Sequence, residues 1–244
     1  MKNIGLILLI TVLIGIFGYY TTNEPVTIVV RQKNILSFVV NPYLQDLKFY
    51  WKDKNGINYT NFENLKSNLE QSGQELVFAM NGGMFKKDLS PQGLYIENGV
   101  TLSPLDKIQK AHGNFYLQPN GVFYLTKDGT PLICTSDQFK ADSNIEYATQ
   151  SGPMMVIDGT IHPDFTKGST NIHIRNAVGI LATGNLLFAM SKEKINFYEF
   201  ASFFKQNGCK NALYLDGFVS KTYLPSKKWT QFDGDFGVII GVEN

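Results

Sequence analysis

Residues 213–220 read Leu-Tyr-Leu-Asp-Gly-Phe-Val-Ser, an apolar run that ends in a carboxylate and a glycine. In domains of the α/β type, such a strand presents its last polar residue at the edge of a sheet, where the glycine lets the backbone turn. We therefore consider Asp216 a candidate functional acid, with Ser220 four residues further along the chain. The alternative interpretation is that Asp216 caps its own turn, which is common for a single Asp-Gly pair.

Three further polar clusters contain glycine in the same way. They are Asn-Gly-Gly-Met-Phe at 81–85, Gln-Ser-Gly-Pro-Met at 150–154 and Arg-Asn-Ala-Val-Gly at 175–179. Each cluster lies at the beginning or the end of an apolar run. Each one is therefore able to deliver a polar side chain to a cleft shared with Asp216.

Turn signals dominate the middle of the chain. Asn-Gly and Asp-Gly pairs separate short apolar runs at 98–99, 120–121, 128–129 and 158–159. These pairs are typical of type I′ turns, because both central residues of such a turn need a positive φ. The pattern predicts a series of antiparallel hairpins.

Two segments show helical spacing of their apolar residues. The first is capped by Asn61 and closed by Gly73, and the second is capped by Ser191 and closed by Gly208. We predict a single α+β domain over residues 22–244, in which a large, mostly antiparallel sheet is covered by these two main helices.

Residues 1–21 are predicted to lie outside this domain. Lys2 precedes an apolar run over residues 4–20, which is at the short limit for crossing a hydrocarbon core of about 30 Å. Because no small-residue cleavage pattern follows, we predict an uncleaved signal anchor with the rest of the chain outside the cytoplasm. A cleaved signal, with a secreted or periplasmic product, is the alternative.

The composition narrows the classes of partner. Lys and Arg number 22 against 21 Asp and Glu, so the formal net charge is +1 and the broad basic surface of a nucleic-acid binder is not expected. The chain has no dinucleotide or P-loop fingerprint and no zinc-ligand spacing, so we expect no cofactor and assign no metal ligands. Asp216, Asp233 and Asp235 could hold a hard cation, but sequence gives no coordination geometry.

Cys134 and Cys209 suit either one disulfide or two buried thiols.

Arg175 is the second candidate catalytic residue. A guanidinium that faces the same cleft as the Asp216 carboxylate would suit an anionic substrate that must also lose or gain a proton. The turn at 81–83 adds a side-chain amide and backbone N–H groups, which are suited to sugar hydroxyls or phosphate oxygens. A surface or salt-bridged arginine is the alternative interpretation.

Taken in order, these clusters resemble the phosphodiester glycosidase family over about residues 76–242, and a bacterial branch of uncharacterised members in particular. The wider family commonly has Gly-Gly after the aspartate, whereas this chain has Phe218 as the second residue, so we do not transfer any sugar preference. The segments that carry the resemblance are 81–85, 113–116, 119–121, 150–153, 175–179 and 215–217.

The resemblance implies an extracytoplasmic hydrolase that cleaves a glycosyl-1-phosphodiester bond and releases the sugar from the phosphate. Asp216 would act as acid/base or nucleophile, and Arg175 would hold the phosphate. The residues that we expect to line the substrate site are Asn81, Gly82, Gly83, Asn114, Gln150, Ser151, His173 and Ser220.

The competing hypothesis is a non-catalytic exported module that binds an envelope glycan or a protein partner through the same cleft, since resemblance in fold does not prove activity. For the enzyme, we expect the side chains of Asn81, Arg175 and Asp216 to converge within about 10 Å.

The predicted anchor has a direct test in cell fractionation. We expect the full-length product to remain with the membrane, because the apolar run after Lys2 would stay in the bilayer, and the globular part to face outward. An intact, soluble cytoplasmic protein would contradict this prediction, whereas a shortened secreted form would support cleavage.

Overall fold

The structure, a computed structural model, describes residues 29, 31–216 and 219–244. The predicted anchor at 1–21, and the residues Gly217 and Phe218, lie outside the described residues. Within the described part of the chain, no helix is long and apolar enough to cross a membrane.

The described residues form sixteen strands, two α-helices and two short 3-10 turns. The helices are α1 (Phe62–Gln71) and α2 (Phe197–Gln206), and the 3-10 turns cover Asn114–Tyr116 and Pro225–Lys227. The strands, in chain order, are β1 (Ile35–Val40), β2 (Asp46–Tyr50), β3 (Leu76–Asn81), β4 (Tyr95–Glu97), β5 (Val100–Ser103), β6 (Gly121–Thr126), β7 (Pro131–Thr135), β8 (Ile145–Ser151), β9 (Met154–Ile157), β10 (Thr160–Ile161), β11 (Asn176–Ile180), β12 (Leu186–Ser191), β13 (Ala212–Asp216), β14 (Thr222–Leu224), β15 (Trp229–Thr230) and β16 (Ile239–Glu243).

These strands pair into three sheets. Sheet I has the strand order β1-β12-β11-β13-β9-β10, sheet II has β15-β14-β3-β16-β2, and sheet III has β5-β4-β8-β6-β7. Every pair within the three sheets is antiparallel. The α+β class, the antiparallel pairing and the two main helices are therefore confirmed, but the expectation of one large sheet is wrong.

A shared core explains why the strands divide into three sheets. Phe188 of sheet I, Phe78 of sheet II and Phe123 of sheet III belong to one buried cluster. The Phe188 ring centroid lies 5.2 Å from that of Phe78 and 6.2 Å from that of Phe123. Strands twist as they pair, so one open sheet of this size would curl or split, whereas three smaller sheets can surround a common apolar centre.

The outer face of each sheet has its own cover. Helix α2 packs Phe200 and Phe204 against sheet I, and helix α1 packs Phe62 against sheet II. The outer face of sheet III is covered by connecting segments, which contribute Leu105 and Phe139. The helices therefore cover two different sheets rather than one.

The predicted start of α1 is confirmed, and that of α2 is wrong. Asn61 caps α1 by accepting an N–H of the first turn, whereas α2 is capped by Asn196. The residue predicted to cap α2, Ser191, is the last residue of β12, and its hydroxyl accepts the backbone N–H of Arg175 at 2.9 Å. Pairing within sheet I thus uses the hydroxyl that the sequence pattern assigned to the helix.

Both cysteines are free thiols, so the disulfide alternative is not formed in this structure. Burial raises the pKa of Cys134 to about 11 and that of Cys209 to about 12. The two thiols are therefore protonated at neutral pH and poorly nucleophilic.

The phenylalanine face of α2 gives a test of the fold. Phe204 is fully buried and its ring lies 5.5 Å from those of Phe200 and Phe203, so Phe204→Ala should lower the free energy of unfolding by about 3–5 kcal/mol through the cavity it leaves. Denaturant unfolding of the full-length chain measures this loss. The exposed neighbour provides the control, since Lys205→Ala should change stability by no more than about 0.5 kcal/mol. A loss below about 1 kcal/mol for Phe204→Ala would show that α2 is not packed as described.

Candidate active site

Asp216 lies where sheet I meets sheet II. It is the last residue of β13, and its carboxylate accepts a hydrogen bond from the side-chain amide of Asn81, the last residue of β3. The Asn81 Nδ2 to Asp216 Oδ2 distance is 3.0 Å. The exposed fraction is 4% for Asp216 and 0% for Asn81. A donor at this distance favours the ionised carboxylate and opposes the cost of its burial.

Asn176 completes this connection between the sheets. It is the first residue of β11 and lies opposite Asp216 in the strand pairing, next to a register shift. Its Oδ1 accepts the backbone N–H of Asp216 at 2.8 Å. Its Nδ2 donates to Asn81, at 2.8 Å to Oδ1 and at 3.0 Å to the backbone carbonyl. A continuous set of hydrogen bonds therefore runs from one sheet to the other through three buried side chains.

Two serine hydroxyls hold the backbone on either side of Asp216. Ser151 donates to the carbonyl of Leu215 at 2.6 Å. Ser220 contacts the carbonyl of Asp216 and lies 3.3 Å from that of Ile174. Both predicted substrate-binding serines are thus brought to Asp216, where in this structure they fix the backbone.

Arg175 lies in a buried environment, with an exposed fraction of 0%. Its Nε donates to the backbone carbonyl of Ile195 at 2.8 Å. Its Nη2 donates to the backbone carbonyl of Asn171 at 2.9 Å and to the side-chain Oδ1 of the same residue at 3.2 Å. The guanidinium carbon is 3.6 Å from the centre of the Phe197 ring, a cation–π distance. Burial lowers the pKa of Arg175, but an arginine retains its charge in proteins. Four of the five N–H donors of the guanidinium are thus used by protein partners, which fix its orientation.

Tyr214 connects Arg175 to Asp216 electrostatically. The Nη1 of Arg175 donates to the Tyr214 hydroxyl at 3.2 Å. Burial raises the pKa of Tyr214, the positive charge of Arg175 opposes this rise, and the negative charge of Asp216 adds to it. The same hydroxyl is therefore within the field of both predicted catalytic charges.

The glycines at 82 and 83 serve close packing. The N–H of Gly82 donates to the carbonyl of Val238 at 2.8 Å, so it is not the exposed group that we expected to meet a phosphate. A Cβ at Gly82 would overlap the side chain of Ile240, and one at Gly83 would overlap that of Thr149. Glycine at both positions lets the backbone approach these neighbours closely. This close approach accompanies the contact between Asn81, at the end of β3, and Asp216.

Gln150 serves as a structural tie in sheet III. Its Oε1 accepts the backbone N–H groups of Leu94 and Asp106, at 3.0 and 2.8 Å. Its Nε2 donates to the carbonyl of Asp106 at 2.8 Å and to the hydroxyl of Ser136 at 3.0 Å. Both donors and both acceptor positions of the amide are thus used by the protein, which leaves it no capacity for a substrate in this conformation.

Two other predicted substrate residues lie in connecting segments. His173 is exposed, and its backbone pairs with that of Ile195 just before β11. Asn114 is half-buried and opens the 3-10 turn Asn114–Tyr116. The described hydrogen bonds connect neither side chain to the Asn81 and Asn176 amides.

The sequence interpretation missed Asn176 and Tyr214. Asn176 stands beside Arg175 in the cluster at 175–179, but the pattern gave no reason to choose it, because its partner Asn81 is 95 residues away. Tyr214 has the apolar neighbours of a buried strand residue. The one available signal was its position two residues before Asp216, which gives both side chains the same face of a regular strand.

Asp233, one of the possible cation ligands, instead forms a salt bridge with Lys221, with 2.5 Å between Nζ and Oδ2. Among the described residues, no group of three or more His, Cys, Asp or Glu side chains is placed to hold a metal ion. The described site is therefore built from amides, hydroxyls, one carboxylate and one guanidinium.

Comparisons with known proteins support the resemblance seen in the sequence. A family model described as phosphodiester glycosidase matches residues 74–237. An Escherichia coli K12 protein described as uncharacterized protein YigE is 35% identical over 212 residues, which are 86% of this chain and 82% of that protein.

Solved structures show the same fold. The catalytic domain of zebrafish N-acetylglucosamine-1-phosphodiester alpha-N-acetylglucosaminidase aligns with a TM-score of 0.59 and 16% identity, over 86% of this chain and 84% of that one. A hypothetical protein from Synechocystis aligns with a TM-score of 0.55 and 13% identity, over 86% of this chain and 59% of that one. A putative exported protein from Burkholderia pseudomallei gives 0.55 and 10%, over 85% and 73% of the two chains.

The buried contacts of Arg175 predict a stability cost that a surface arginine would not have. Arg175→Ala removes four hydrogen bonds, to Ile195, Asn171 and Tyr214, and should lower the free energy of unfolding by about 4 kcal/mol, at about 1 kcal/mol for each bond. Arg175→Lys should recover little of this, because one ammonium cannot reproduce the planar fork.

Denaturant unfolding measures both variants, with Arg31→Ala as the control because Arg31 is exposed. If Arg175→Ala left stability within about 0.5 kcal/mol of the parent chain, the guanidinium would not be the structural tie described.

Proposed function

Because this chain belongs to the phosphodiester glycosidase family, we propose that it is a hydrolase that cleaves a glycosyl-1-phosphodiester and releases the sugar from the phosphate. The observation that carries the proposal is the buried Asp216 carboxylate at the end of β13, held by the Asn81 amide within the matched region. A turn residue that only capped its own loop would not need a partner from another sheet.

The chemistry of the leaving group suits a site with one carboxylate. In the proposed reaction the bond between the anomeric carbon and the phosphate oxygen breaks, and the oxygen of water ends on the anomeric carbon. The phosphate leaves as a monoester whose second pKa is about 6, so it needs far less help from an acid than a sugar alkoxide would. Glycosidases with alkoxide leaving groups normally use two carboxyl groups. A single carboxylate is sufficient for the easier departure.

We assign Asp216 the role of nucleophile or general base. The Asn81 N–H aimed at Oδ2 stabilises the ionised form, which is the form that attacks carbon or accepts a proton from water. The backbone on both sides of Asp216 is held by Ser151 and Ser220. The carboxylate therefore meets the substrate in one orientation, which reduces the entropic part of the barrier.

Arg175 is proposed to act on the phosphate mainly through its field. Its guanidinium is occupied by Ile195, Asn171 and Tyr214, so the positive charge is fixed before the substrate binds. A fixed charge in a buried site stabilises negative charge that develops on a departing phosphate. The Tyr214 hydroxyl, to which Arg175 donates, extends this polarisation toward Asp216.

We further propose that the reaction takes place outside the cytoplasm, on a chain held at the membrane through residues 1–21, with 22–244 as the catalytic domain. The apolar run after Lys2 supports this location. A glycosyl phosphodiester or a related envelope glycan is the proposed partner.

A substrate panel tests the proposed activity. The full-length chain is incubated with sugar-1-phosphodiesters that differ in sugar and in aglycone, and both free sugar and phosphate monoester are measured. Release of the two products in equal amounts supports the proposal. Binding of envelope glycans without any hydrolysis would favour the non-catalytic module instead.

Asp216→Asn tests the assigned carboxylate. The amide keeps the shape of the side chain but cannot act as base or nucleophile, so turnover should fall by at least about 10²-fold, while binding of the diester changes much less. The matched control is Asp158→Asn, the same change in an Asp-Gly turn between β9 and β10, which should leave turnover unchanged. Near-normal hydrolysis by a folded Asp216→Asn protein would return Asp216 to the role of a turn residue.

A further inference from the structure

Asn176 has a role that neither the sequence pattern nor the family resemblance assigned to it. Its side chain is fully buried and touches both the backbone of Asp216 and the side chain that binds the Asp216 carboxylate. A buried amide is retained at this cost only when its donors and acceptors are paired. Each hydrogen bond of the Asn176 side chain has a direction, from donor to acceptor, that its partner atom determines.

Two backbone N–H groups fix that direction. The N–H of Lys221 donates to the side chain of Asn81 at 2.8 Å, and the N–H of Asp216 donates to the side chain of Asn176 at 2.8 Å. A backbone N–H can only donate, so in each side chain the atom that it meets must be the oxygen. The orientation of both amides follows from the chain itself and not from a choice between two similar atoms.

The orientation of Asn176 also determines which atom of Asn81 faces the Asp216 carboxylate. With its oxygen toward Asp216 N–H, Asn176 presents two N–H donors, and both are given to Asn81. Asn81 then has its oxygen saturated by Asn176 and Lys221, so the group that faces Asp216 Oδ2 is an N–H. A flipped Asn81 would place an oxygen against the carboxylate and an N–H donor against both the Lys221 N–H and the Asn176 amide, which costs three repulsive contacts.

We propose that Asn176 is a positioning residue that holds Asp216 in its ionised form, by fixing the Asp216 backbone and by locking the Asn81 amide with its N–H toward the carboxylate. The effect on catalysis rests on the proposed function. The effect on the ionisation of Asp216 does not, and it is measured without a substrate.

Other charges around Asp216 must stay constant in the test. Arg175 and Tyr214 form one pair on the sheet I side, and Lys221 with Asp233 forms another on the sheet II side. None of these four side chains is hydrogen-bonded to the side chain of Asn176 among the described contacts. A change of Asn176 therefore alters the amide connection while it leaves the neighbouring charges in place.

The experiment is a carboxyl carbon-13 NMR titration of the full-length chain labelled at the aspartate Cγ, with the Asp216 signal assigned by its loss in Asp216→Asn. Asn176→Ala and Asn81→Ala should each raise the titration midpoint of Asp216 by about one pH unit or more, a tenfold change in its ionisation constant. The control is Asn211→Ala at the opposite end of β13, where the amide also bridges two backbone groups, at Asp158 and Ile133. It should leave the midpoint unchanged.

The double variant separates positioning from general loosening. If Asn176 acts through Asn81, the effect of Asn81→Ala and Asn176→Ala together should be smaller than the sum of the single effects. Additive shifts, or an unchanged midpoint in a folded Asn176→Ala or Asn81→Ala chain, would overturn the proposal. Should Asn176→Ala fail to fold, Asn176→Ser takes its place, because it also removes the two amide N–H donors to Asn81; an unchanged Asp216 midpoint in this variant would overturn the proposal equally.

Turnover provides a separate readout. On an active diester, Asn176→Ala should move the acidic limb of the kcat profile upward with the NMR midpoint, since the reacting form is the carboxylate. Absence of hydrolysis by the unaltered chain would contradict the proposed function. The NMR titration would still test the positioning role of Asn176, because it needs no substrate.

Discussion

The hydrogen bond from Asn81 to the Asp216 carboxylate joins two sheets that are otherwise built from separate strands. Each partner is the last residue of its strand, so the ends of β3 and β13 must meet for the bond to form. The shared core sets that meeting point, because Phe78 and Met80 of β3 and Leu213 and Leu215 of β13 all belong to it. Apolar packing thus supplies the position, and the amide network supplies the chemistry.

The network also explains how a buried acid remains useful. A carboxylate removed from water is driven toward its neutral form unless donors or positive charge compensate. The Asn81 N–H compensates directly, because it donates to the carboxylate. Arg175 donates to the Tyr214 hydroxyl, and the pKa of this hydroxyl responds to the charges of both Arg175 and Asp216. Because these groups are bonded to the protein in advance, little reorganisation is needed when charge moves during a reaction. These contacts therefore favour Asp216 as base or nucleophile rather than as acid.

Local signals predicted local structure well. Asn98-Gly99 and Asp158-Gly159 form the expected hairpin turns with positive φ at both residues. At the similar pair 120–121, by contrast, Gly121 is the first residue of β6 and pairs with Ser151. The division into three sheets, the buried contacts of Arg175 and the choice of Asn176 depend on partners far along the chain. The pattern of a single sequence does not show which distant residues come into contact. Gln150 is the clearest example, because its amide makes four hydrogen bonds, to Leu94, Asp106 and Ser136. A residue that the motif assigned to the substrate thus holds the fold together instead.

Hydrolysis of a sugar-1-phosphodiester in water labelled with oxygen-18 shows whether cleavage takes place at the anomeric carbon. Mass spectrometry of the phosphate monoester reports which bond has broken, because a phosphate does not exchange its oxygens under these conditions. We expect a phosphate product free of the label, since the water oxygen joins the sugar. Label in the phosphate would show attack at phosphorus and would contradict a glycosidase reaction led by Asp216.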